Sequence, residues 1–135
     1  MRLTKAVARL IHGERVSRVA TVGAAAMPHV VPVCHAVVDG KICFASGKDG
    51  RKVKNVRDNP RVALTVDLYS ETWGRLAGVM VQGQAALGEK GPRFRALRAA
   101  LYAKYQQYPD EAALDESDSV IVEVTPSRVF SWGLK

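Results

Sequence analysis

Apolar positions along this chain recur in short blocks, and their period changes from block to block. Leu3, Val7, Leu10 and Ile11 share one helical face opposite Arg2, Lys5 and Arg9, which predicts an amphipathic helix over 3–11. Val19 to Val22 suit a strand over 16–23, and the small residues of GAAAMP at 23–28 suit a turn. Residues 29–38 form a nearly unbroken β-branched run (Val30, Val31, Val33, Val37, Val38), which predicts a strand buried on both faces. Pro32 inside it demands an edge or a bulge. Asp39-Gly40 is a hairpin signal leading to a third strand over 41–46.

The pattern then shifts to GKDGRKVKNVRDNP, where Val53 and Val56 give a one-sided helix and Asn59-Pro60 stops it. Strict alternation returns over 61–69, with Val62, Leu64, Val66 and Leu68 on one side, and again over 78–87. Pro92 opens a helix whose buried stripe is Phe94, Leu97, Leu101 and Tyr105, and Pro109 prevents its continuation. An acidic loop leads to two last strands, at about 119–124 and 128–132. The order α-β-β-β-α-β-β-α-β-β has too few helices for a doubly wound parallel sheet. It predicts a mainly β (α+β) fold: an antiparallel barrel of six to seven strands with two or three short helices, closed so that few edges are exposed.

Composition narrows the class. With 135 residues, 47% hydrophobic and 24% charged, the chain is expected to be one domain, 1–135. No stretch has the length and apolarity of a membrane span, and Arg2, Lys5 and Arg9 precede no apolar signal region, so a soluble cytoplasmic protein is expected. Cys34 and Cys43 lie in apolar strand-like runs without CxxC spacing and read as reduced core thiols.

The formal net charge of +7 implies an anionic partner, either nucleic acid or a phosphorylated small molecule. Aromatic content of 7% and the absence of any recognition motif argue against nucleic acid. No GxSxG, HExxH or paired-carboxylate pattern is present, so no catalytic side chain is assigned. Adjacent Cys34 and His35 point to opposite faces of a strand and do not make a nucleophile and base. His29 and His35 lack a third ligand, and no metal site is expected. Ser46, Arg51, Lys52, Lys54 and Asn55 gather where a strand gives way to a helix start. Two readings fit them: a phosphate site built on free amides and charge-assisted bonds, or a basic face that keeps the surface solvated.

The run ATVGAAAMPHVVPVCHAVVDGKICFASGKDGRKVKNVRDNPRVALTV at 20–66, with VMVQGQA at 79–85 and PSRVFSWG at 126–133, resembles the pyridoxamine 5′-phosphate oxidase-like superfamily in order and spacing. The resemblance implies an FMN-binding split barrel, homodimeric, with the cofactor at the subunit interface. Carried over by position, Val31, Pro32 and Val33 line the flavin ring, Phe44, Ala45 and Ser46 border the ring and ribityl chain, and Arg51 and Lys52 grip the phosphate with Asn55 nearby. Trp132 approaches from the partner subunit, its alternative being a core tryptophan on the last strand. The true oxidase carries Arg and Lys on the strand that here reads Val30 to His35, and ends in an Arg-Leu-His type segment, so pyridoxamine phosphate oxidation is not expected. The stretch VDLYSETW at 66–73 is similar to the branch identified as probable F420-dependent enzymes. The implied function is an FMN- or F420-dependent oxidoreductase that moves hydride to or from a small planar substrate between Val31, Val33 and Trp132. A non-enzymatic flavin- or haem-binding barrel, with His29 or His35 as axial ligand, is the alternative.

Overall fold

The computed structural model describes residues 2–134. Six antiparallel strands close into a barrel in the order β1-β2-β3-β6-β5-β4: β1 is Val16–Val22, β2 Pro28–Val38, β3 Lys41–Gly47, β4 Arg61–Leu68, β5 Ala77–Gly88 and β6 Ser119–Trp132. Alternation sets the inside. Val19, Val33, Ile42, Phe44, Val62, Leu64, Val66, Val79, Val81, Val122 and Val124 meet in one core, and closure leaves it no solvated sheet face.

Two helices plug this core. The first, α1 (Lys5–Gly13), inserts Val7, Leu10 and Ile11, and Thr4 caps it by accepting from the Val7 amide. The second, α2 (Arg51–Asp58), inserts Val56 and also buries Val53. A third, α3 (Gly91–Lys104), lies outside the barrel. Its stripe of Phe94, Leu97 and Leu101, extended by Tyr105, forms a second apolar cluster with Ala36, Cys43 and Ile121 on the outward face of β2, β3 and β6.

Three expectations are corrected. Among the described residues there are four α-helices, because Pro109 lies in the first turn of a one-turn helix, α4 (Tyr108–Glu111), where proline needs no amide partner. The two last strands are one, β6, bent where Ser127 is an extra residue between the Gln82↔Arg128 and Gly83↔Pro126 pairs. β2 is not buried on both faces. α3 covers only its second half, so Val30 stands 65% exposed, and Cys34 is an exposed thiol while Cys43 is buried, its thiol pushed up to about 12 by desolvation.

The C-terminal ends of α1 and α3 meet beside β2. Lys104 donates from Nζ to the Glu14 carbonyl at 2.7 Å, and the Tyr105 hydroxyl lies 2.7 Å from the Arg15 carbonyl and 2.5 Å from that of His35. His35, fully buried, donates from Nε2 to the Ile11 carbonyl at 2.6 Å. Burial, the largest influence, pushes its pKa from the ordinary 6.5 down to about 4, so the folded ring stays neutral where the unfolded ring takes a proton. The resulting stability is complete above pH 6.5 and is lost as the pH falls towards 4. Urea melts at pH 7 and pH 5 are expected to differ by roughly 2 kcal/mol, and His35→Phe to remove most of that difference.

Candidate functional site

The β2–β3 hairpin comes apart before its strands end. Its ladder stops at His35↔Phe44. Beyond that pair, β2 runs back to Pro28 bonded only to β1, and β3 runs on to Gly47 bonded only to β6. Carrying the hairpin register outwards sets Val33 level with Ser46 and Pro32 level with Gly47, yet no ladder pair joins them. One edge of β2 is therefore open over 28–34, where Pro32, which has no N–H, is tolerated. The residues expected around a flavin ring, Val31, Pro32 and Val33 on one arm and Phe44, Ala45 and Ser46 on the other, flank this opening.

Their side chains divide by the pleat. Val31, Val33 and Phe44 turn their side chains towards the barrel core; the Val38↔Lys41 pair at the Asp39-Gly40 turn sets the backbone of Val30, Pro32 and Cys34 towards the opening and that of Val31 and Val33 towards β1. Val30 and Pro32 are exposed outwards, and Ser46 is buried.

Beyond β3 the chain turns into α2. Gly50 is its N-cap, and the first helical bonds run from the Val53 and Lys54 amides to the Gly50 carbonyl. The Arg51 and Lys52 amides thus precede the ladder and point out from the helix start. The Ser46 hydroxyl is 2.9 Å from where a Cβ on Gly50 would stand, so a glycine there lets it approach the helix start. No acid occupies the first turn, although Asp49 is exposed just before it. Among the described residues Arg18, Arg57, Arg93 and Arg95 each have a carboxylate within ion-pair distance, and Arg51, Lys52 and Lys54 do not. Asn55, expected near the phosphate, is instead 4% exposed and donates from Nδ2 to Thr21 Oγ1 at 3.0 Å.

The outward face of β1, β4, β5 and the second half of β6 is left bare by the helices. Register aligns Pro32, Arg18, Thr65, Met80 and Phe130 in one row across it, and Val30, Ala20, Ala63, Gln82 and Arg128 in the next. Trp132 lies on this face, 47% exposed, and is not a core residue. Its ring covers Gly78, where an added Cβ would stand 2.3 Å from Cζ2. A groove of about 580 Å³ follows the same face between Arg61, Gln82, Gln84 and Arg128 over a floor of Ala20, Ala63 and Gly83. Neither Gly78 nor Gly50 stands out in the sequence; each acquires its meaning from a side chain distant along the chain.

The two histidines have different settings. His35 is committed to α1 through Nε2. His29, opposite Thr21, is partly exposed and keeps a buried Nδ1 without a partner.

Residues 3–133 match the family model described as pyridoxamine 5′-phosphate oxidase, and the chain belongs to that family. No curated protein matches it by sequence. Among solved structures, it is similar to a conserved hypothetical protein from Mycobacterium tuberculosis (24% identity, TM-score 0.82, covering 96% of this chain and 84% of that one). It is also similar to HutZ, the haem storage protein from Vibrio cholerae (16%, 0.79, 96% and 94%), and to an F420 reductase (21%, 0.75, 95% and 98%). At these identities the likeness is one of fold.

Gly78→Ala is expected to lift Trp132 from the sheet. In a Trp73→Phe background, this reads as a red-shifted emission more readily quenched by acrylamide, with the fold retained by circular dichroism.

Proposed function

We propose that this chain is a flavin-dependent oxidoreductase that works as a homodimer and binds FMN, or the deazaflavin F420 in its place, between the α2 corner of one copy and the bare sheet face of the other. The observation that carries this reading is the corner itself. Outward-pointing amides at a helix start and the Arg51 and Lys52 side chains without ion-pair partners converge beside an open strand edge, next to the Ser46 hydroxyl, which donates to the Gly47 carbonyl at 3.1 Å. Such donors suit the phosphoryl group of a cofactor. The open backbone edge at Val30, Pro32 and Cys34, alternating with Val31 and Val33, suits the polar rim of a planar ring, and Ala45 leaves room beside it.

A bound flavin supplies the hydride chemistry, so the protein needs no acid–base pair of its own. Its residues hold the phosphate, orient the ring against β2 and, through a second copy's Trp132, keep water from it. Val30, Pro32 and Trp132 would leave a substrate mostly apolar surroundings, which suits a small planar molecule. A homodimer fits the exposure of Val16, Val30, Phe130 and Trp132 on this one bare face. In the haem-binding alternative His29 would serve as the axial ligand, since His35 is buried and hydrogen-bonded.

Two measurements test the proposal. Arg51→Ala with Lys52→Ala is expected to weaken FMN binding about 100-fold, the loss of two charge-assisted contacts, in a fluorescence-quenching titration. Phe130→Glu is expected to give monomers by light scattering and to lose the flavin. Unchanged affinity in the first variant, or a wild-type protein that binds neither FMN nor F420, would reject the reading.

A further inference from the structure

We infer that Asn55 and Thr21 are positioning residues for the phosphate corner: they fix where the start of α2 stands over the β1–β2 hairpin without touching the ligand. This rests on the reading of that corner as a phosphate site.

The helix is eight residues long and has no side-chain N-cap bond, so little within it fixes its position. Val53 and Val56 attach it through apolar contact, which has no direction. The bond from Asn55 Nδ2 to Thr21 Oγ1, 3.0 Å long between side chains 4% and 0% exposed, does have one. Asn55 stands four residues after Arg51 and hence beneath it on the same side of the helix. Its carboxamide is also held from the other side. A Cβ on Gly23 would stand 2.4 Å from Asn55 Oδ1, so the hairpin backbone passes against the amide. Bond and backbone together leave the helix start little freedom to rotate or slide. A displacement of about 1 Å is enough to spoil hydrogen bonds to a bound group. Thr21, fully buried, affects a ligand only through the helix.

The test compares FMN with riboflavin, which has the same ring and no phosphate. Wild-type protein is expected to prefer FMN. Thr21→Val, nearly the same shape without the acceptor, is expected to lower FMN affinity about tenfold and to leave riboflavin affinity within about twofold. Gly23→Ala, which pushes the amide from the opposite side, should give the same loss, and Thr21→Ser, which keeps the hydroxyl, should retain the preference. A residue that merely holds the fold would weaken both ligands alike. That result, or an FMN preference untouched in both Thr21→Val and Gly23→Ala, overturns the inference. If the wild type shows no preference, or keeps it after Arg51→Ala with Lys52→Ala, the phosphate reading itself has failed.

Discussion

The structure depends on a mismatch of pairing around the barrel. β2 has eleven residues, and β3 takes up only the last four, because β3 turns across to β6 to close the cylinder. Closure is favoured because it buries one apolar face from every strand. Its consequence is an interruption in an otherwise continuous ring of hydrogen bonds, at the place where the chain next forms a helix. Open backbone, a helix start and three cations without carboxylate partners thus share one corner.

Energetically the molecule is lopsided. The helices plug the barrel and cover one side with Phe94, Leu97 and Leu101, and the other side stays bare, with Phe130 and Trp132 in the open. Barrel and helices make a complete core, so the bare face is not needed for folding. That separation leaves the face free for the assembly proposed above while the interior is held by Phe44, Leu64 and Val81.

Much of this architecture was legible from residue patterns. Alternation at Val62, Leu64 and Val66 and the stripe Phe94, Leu97, Leu101 and Tyr105 gave the strand and helix, since each repeats the geometry of its element. The β-branched run of β2 misled because valine marks a strand without telling which face is covered; only the placement of α3 decides that. Cys34 and Cys43 look equivalent in sequence and differ in exposure for the same reason. The cations at the candidate site were visible as a cluster, but the setting of Asn55 was not. A polar residue beside two basic ones reads as a ligand until the distant Thr21 and Gly23 are brought against it.

Pro32 has one more consequence. An unpaired strand edge is a template on which a foreign strand can add, the first step towards swapped or fibrillar assemblies. A proline in the middle of that edge withholds one of the donors such a strand would need, and so guards the open edge against templated aggregation.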